Sequence, residues 1–176
     1  MSSPRLTRID IYVDKLNRQQ GWLVAGALRF RVSLGRAGIT RNKREGDGAT
    51  PAGCWRLAQA FFRRDGLRFG ASAIPARPIR KHDGWCDDVR SSRYNRAVSL
   101  PCTASHEEMW RQDHLYDLVI ETDWNRRPAI RGRGSAIFVH LRRPDGGPTA
   151  GCVALSPRDM RLLWPRLTLH TRLVVH

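Results

Sequence analysis

Three short runs near the amino terminus alternate apolar and polar side chains, and that alternation commits the chain to β-structure before anything else is read. Arg8-Ile9-Asp10-Ile11-Tyr12-Val13-Asp14 has the period of two expected of a half-buried strand. Residues 21–25 and 28–34 repeat the signal, separated by Gly26-Ala27, which predicts an antiparallel meander. Further strands are predicted at 55–57, 117–121, 135–140, 151–155 and 172–175.

Helical signals are fewer. Ser105-His106-Glu107-Glu108 is a capping box and predicts a helix ending near Gln112 or Asp113. Ser156-Pro157-Arg158-Asp159 predicts a second, with proline at the first helical position, an apolar face of Met160, Leu163 and Trp164, and Pro165 limiting its length. The expected architecture is mainly β, sandwich-like or barrel-like, with short helices at its edge. At 176 residues the chain suits one domain, 1–176, around one core.

Two connections stand out. Residues 35–53 are charged and glycine-rich, and Gly48-Ala49-Thr50-Pro51-Ala52-Gly53 leads into a strand. Residues 70–101 are polar and contain the proline-punctuated Ala73-Ile74-Pro75-Ala76-Arg77-Pro78-Ile79, with Trp85, Tyr94, Asn95 and Arg96 downstream. This stretch reads either as a long functional loop or as a surface connection with an aromatic pin.

Lys+Arg total 31 against 16 Asp+Glu, and only Lys15, Lys43 and Lys81 are lysines. A dispersed arginine field favours an anionic partner, either nucleic acid or a carboxylate-rich cell-wall polymer. No block of like charge and no nucleic-acid motif accompanies it, although Trp85 and Tyr94 are aromatics of the kind that stack on bases, so a basic nucleic-acid module is the remote reading. The four cysteines (54, 86, 102 and 152) are too few and too far apart for a disulfide scaffold, and no CxxC pair suggests zinc. His82-Asp83-Gly84-Trp85-Cys86-Asp87-Asp88 reads as a hydrogen-bonded loop in preference to a cation site, so neither metal nor cofactor is expected. The amino terminus shows no apolar leader, and the first apolar run, residues 22–28, is too short to span a membrane, so the expectation is a soluble chain without a transmembrane segment.

The chemistry gathers near the carboxyl end. His140 closes the apolar run Ala136-Ile137-Phe138-Val139, and Cys152 follows in Thr149-Ala150-Gly151-Cys152. A thiol becomes a strong nucleophile when a base or a positive field makes it a thiolate. If the two strands are neighbours, the loop at 142–148 brings imidazole and thiol together, and the N–H groups of Gly151 and Cys152 face a developing oxyanion. The alternative is a buried structural cysteine beside an unrelated histidine.

The ordered combination resembles the L,D-transpeptidase (YkuD-type) catalytic domain. That family's signature is a histidine ending a strand, a variable loop, then Ser/Thr-His-Gly-Cys with an arginine two residues on. His140, Thr149, Gly151 and Cys152 match, and the Thr50-Pro51 loop resembles the family's Thr-Pro-x-Gly. Ala150 replaces the family's second histidine, and Ala154 its arginine. With residues 77–88 and 94–96, these departures resemble the proteobacterial branch that joins L-Ala at stem position 1 to diaminopimelate.

The resemblance implies a monomeric transpeptidase acting on peptidoglycan stem peptides and glycan strands in the periplasm or cell wall. In this reading Cys152 is nucleophile, His140 base, and Gly151 with Cys152 the oxyanion site. Substrate contacts are expected from Thr149, Pro75, Pro78, Asp83, Trp85, Tyr94, Asn95 and Arg96, with residues 74–101 as a proline-rich lid. The alternative with the same site is a cytoplasmic L,D-carboxypeptidase that uses water as acceptor. Alkylation is expected to mark Cys152 ahead of Cys54, Cys86 and Cys102.

Overall fold

The computed structural model describes residues 4–176, and its architecture is mainly β. The meander is present as β1 (Arg8–Val13), β2 (Gln20–Ala25) and β3 (Leu28–Ser33), turning at Gly26 with φ +61°. The connection at 35–53 holds two short parallel strands, β4 (Ile39–Thr40) and β5 (Thr50–Pro51), and runs into the long β6 (Gly53–Phe62). Then follow β7 (Ala76–Pro78), β8 (Asp83–Cys86), β9 (Arg96–Ser99), β10 (His106–Glu108), β11 (Leu118–Thr122), β12 (Phe138–Leu141) and β13 (Val153–Leu155). Helix α1 (Pro157–Leu163), a 3-10 turn (Trp164–Arg166) and β14 (Arg172–Val175) complete the chain.

One sheet runs β11-β12-β13-β3-β2-β1-β14-β6-β7, and β6 also pairs with β11. Its first half, from Gly53 to Arg56, lies against β14, and Leu57 to Phe62 lie against β11, so the sheet closes into a barrel. Closure satisfies backbone groups that an open edge would leave bare. The interior takes the apolar member of each alternating pair: Ile9 and Ile11, Leu23, Val32, Leu57, Ile120, Val139, Val153, Leu155 and Leu173. Each fully buried side chain of this size contributes roughly 1.5–3 kcal/mol.

Helix α1 forms where the sequence predicts it. The Ser156 hydroxyl accepts the Asp159 N–H at 3.1 Å, and Met160 and Leu163 are buried in the barrel core. The other expected helix does not form, and α1 is the one α-helix among the described residues. Residues 106–108 are instead the strand β10, antiparallel to β8 with Glu107 opposite Trp85. A helix confined to 105–113 would have been too short to hold itself together, whereas pairing with β8 satisfies backbone donors at long range.

The 70–101 segment is likewise more ordered than a loop. Strand β7 extends the sheet beside β6, and β8 lies between β9 and β10 in a three-stranded sheet. Trp85 is its pin, 1% exposed, edge-on to Phe61 and Phe138, with its indole N–H donating to Asn95 Oδ1 at 3.0 Å. A second apolar cluster joins this sheet to the barrel through Phe61, Trp85, Met109, Tyr116, Phe138 and Cys152.

Candidate active site

Strands β12 and β13 are parallel neighbours, with Val139 opposite Val153 and His140 opposite Ala154. Side chains alternate across a strand, so Val139, Leu141, Val153 and Leu155 enter the barrel core, while Phe138 and Cys152 join the second cluster. His140 and Cys152 are therefore diagonal neighbours on one face, and both line the same cavity of about 270 Å³. Diagonal Cβ atoms on paired strands lie about 7 Å apart, a span an imidazole covers.

The ring of His140 is fixed by its own backbone. Nδ1 lies 2.8 Å from the Leu141 carbonyl, which accepts only, so Nδ1 carries the proton and Nε2 keeps its lone pair. The resting thiol is held elsewhere: Sγ donates to the Ala136 carbonyl at 3.1 Å and accepts the Phe138 N–H at 3.3 Å. Burial pushes the Cys152 thiol up to about 12, with the charge of Glu107 adding to it, and burial presses His140 down to about 4. The resting pair is thus neutral thiol and neutral imidazole.

The cysteine loop is braced from behind. Thr149 Oγ1 donates to the Cys152 carbonyl at 2.7 Å and accepts the Gly151 N–H at 3.1 Å. Thr149 also bonds through its backbone to Leu34 and Arg36, and the Gly35 N–H donates to Thr50 Oγ1 at 2.9 Å. Gly151 has φ +146°, and a Cβ there would meet the Ala49 carbonyl oxygen at 2.8 Å. The Gly48–Gly53 motif is accordingly the buttress that the cysteine loop rests on.

The structure brings His140, Thr149, Gly151 and Cys152 to one cavity wall, with Ala150 and Ala154 beside them. It puts the other candidates behind or away from that wall. Asn95 (φ +55°) accepts the Ala136 N–H at 3.1 Å and donates to the carbonyls of Trp124 and Asn125, so it holds the backbone whose carbonyl receives the thiol proton. Tyr94 donates to Glu45 Oε2 at 2.5 Å and thereby orders a carboxylate that does line the cavity. Asp83 pairs with Arg77 at 2.6 Å. Pro75, Pro78 and Arg96 lie outside the lining, Pro78 in β7 and Arg96 in β9. The segment 74–101 reaches the cavity through Asp87, not through its prolines.

Sequence reasoning missed a further part of the cavity lining. Glu107, Arg111, Leu115 and Tyr116 line the cavity, together with Arg36, Lys43 and Arg143. Glu107 lay hidden inside an apparent helix cap, and no local spacing rule links it to Tyr116. Among the described residues no group of three or more His, Cys, Asp or Glu stands ready to hold a metal, and no helix is long and apolar enough to cross a membrane.

The family model of the L,D-transpeptidase catalytic domain matches residues 8–175. No curated protein matches the sequence. Among solved structures the chain is similar to L,D-transpeptidase 1 of Mycobacterium tuberculosis, with a TM-score of 0.40 and 11% identity, covering 96% of this chain and 61% of that one. The chain spans less than two thirds of that protein's length. On the family match across nearly its whole length, the chain belongs to the L,D-transpeptidase catalytic domain family.

Proposed function

We propose that the chain is a peptidoglycan L,D-transpeptidase working by cysteine acyl transfer. The observation that carries the reading is the placement of Sγ and of a ring whose Nδ1 is tied to Leu141 on adjacent strands of one cavity. His140 Nε2 takes the thiol proton as Cys152 attacks the carbonyl carbon of an L-residue followed by a D-residue in the donor stem. The Gly151 N–H is engaged by Thr149, so the Cys152 N–H is the first donor to the oxyanion. The C–N bond breaks, the departing amine takes the proton from His140, and a thioester remains. The side-chain amine of an acceptor diaminopimelate then attacks the thioester, giving its proton to His140, and the thiolate leaves and is reprotonated. The donor residue is L-alanine of stem position 1, a reading supported by Ala154 in place of arginine and by the 77–96 segment.

The enzyme acts as a monomer on stem peptides of the wall, outside the cytoplasm, and needs no metal. Its test is the intact mass of the protein after incubation with defined muropeptides. The wild type gains one acyl fragment and then forms cross-linked product, whereas Cys152→Ala, still folded, gains none. Cross-linking by Cys152→Ala overturns the assignment, and release of trimmed monomers alone makes water the acceptor.

A further inference from the structure

The imidazole of His140 has one hydrogen bond, to the carbonyl of the next residue, and no carboxylate on its Nδ1. A bond that local leaves the ring's tilt to whatever packs against it. The side chain that packs against it is Tyr116, 3% exposed, with ring centroids 5.2 Å apart and planes 66° apart. Tyr116 is not loose apolar filler. Its hydroxyl donates to Glu107 Oε1 at 2.5 Å, and its ring is edge-on to Phe138, whose N–H donates to the nucleophilic sulfur. Glu107 is in turn fixed by Arg111 at 3.4 Å, and Arg111 by a two-pronged pair with Asp113 at 3.0 and 2.5 Å. These groups form a line across the cavity wall from β10 to the base.

We infer that Tyr116, anchored through its hydroxyl to Glu107, is a positioning residue that sets the ring of His140 so that Nε2 faces Sγ. The inference rests on the reading of Cys152 as nucleophile and His140 as base. Glu107 does what a carboxylate on Nδ1 would do, but one side chain removed: its charge-assisted bond fixes the tyrosine, and the tyrosine fixes the imidazole. The arrangement also accounts for a carboxylate beside a thiol. A negative charge there works against the thiolate, adding to the larger effect of burial on Cys152, and its place is explained by the anchoring it provides.

Alkylation of Cys152 by a small neutral haloacetamide tests this without any cell-wall substrate, in a background with the accessible Cys54 and Cys102 changed to serine. His140→Ala is the reference for loss of the base. Tyr116→Phe keeps the ring and removes the anchor, and Glu107→Gln keeps an acceptor and removes the charge. Both are near-isosteric, and near-ultraviolet circular dichroism checks their packing. Tyr116→Leu removes the wall. A misplacement of an ångström costs about a hundredfold, so Tyr116→Leu is expected to approach His140→Ala, with Tyr116→Phe and Glu107→Gln slowed about tenfold. The same variants broaden the His140 ring signals in proton–nitrogen spectra, which an effect confined to stability does not do. Unchanged rates and unchanged His140 signals in Tyr116→Phe and Glu107→Gln overturn the inference. An unchanged rate in His140→Ala instead overturns the functional reading on which it stands.

Discussion

Replacing Gly151 by alanine tests how Cys152, the proposed nucleophile, is held. A Cβ at this position would sit 2.8 Å from the Ala49 carbonyl oxygen and 3.2 Å from Ile137 Cδ1, where ordinary contact begins at 3.4 Å. The loop carrying Ala49 has little freedom to retreat, because the Ala49 N–H is bonded to Asp47 at 2.8 Å and Thr50 is tied to Gly35. The backbone at φ +146° is itself a conformation that an L-residue resists. Strain of this kind costs about 1–3 kcal/mol and overpacking a similar amount, so a loss of about 3 kcal/mol is expected. For a chain of this size that lowers the melting temperature by roughly 6–12 °C. The larger effect falls on chemistry: a cysteine loop pushed off its buttress by about half an ångström or more loses on the order of a hundredfold in thioester formation, read from intact mass against time. Gly70→Ala is the control, since it shares a positive φ (+75°) but has nothing within 4 Å of the added atom. It should cost some stability and no rate. A Gly151→Ala protein with wild-type melting and wild-type acylation would refute the bracing of the loop.

Three other outcomes are expected. Unfolded, His140 would titrate near its ordinary 6.5, and folded it is pressed to about 4, so the unfolded chain takes up this proton first. Stability therefore falls as pH drops from about 6.5 toward 4, by about 2–3 kcal/mol at pH 4.5, and denaturant midpoints of His140→Gln should lack that share of the loss. In the free protein an alkylating reagent at neutral pH should modify exposed Cys54 first. Cys152 follows slowly, reversing the order expected from sequence, because the residue is 7% exposed and its thiol is raised to about 12; peptide mapping over time decides this. Thr149→Val removes the bonds to the Cys152 carbonyl and from the Gly151 N–H, and should cost about 2 kcal/mol in denaturant unfolding and tenfold or more in acylation, with Thr149→Ser restoring most of both.

What the sequence disclosed and what it concealed divide along a physical line. The meander was legible because each strand buries one face, which writes a period of two into Ile9, Ile11, Leu23 and Val32. The start of α1 was legible because a cap is a contact over three residues, from Ser156 to Asp159. The same logic misled at Ser105, where a locally sound cap yields to a strand partner some twenty residues back. Strands β7 to β10 are three or four residues long, too short for any period to show. His140 and Cys152 stood out in the sequence because the loop between them and the flanking glycine form a local pattern. Tyr116 and Glu107 did not, since the fold alone brings them to the imidazole. Trp85, Tyr94 and Asn95 were conspicuous in sequence and turn out to stand behind the wall, where large side chains are buried and hydrogen-bonded.

The parallel pairing of β12 with β13 forces a crossover between His140 and Cys152, and its tip, Arg143-Pro144-Asp145, is exposed, with Arg143 lining the cavity. Immediately beyond it, the Gly146 carbonyl is gripped by Gln20 at 2.8 Å and Ser33 at 3.0 Å. Whatever is inserted at the tip is thus isolated from the thiol by a fixed point on the barrel. Under the proposed function, lengthening or recomposing those three positions offers a route to new acyl-donor preferences with His140 and Cys152 unaltered.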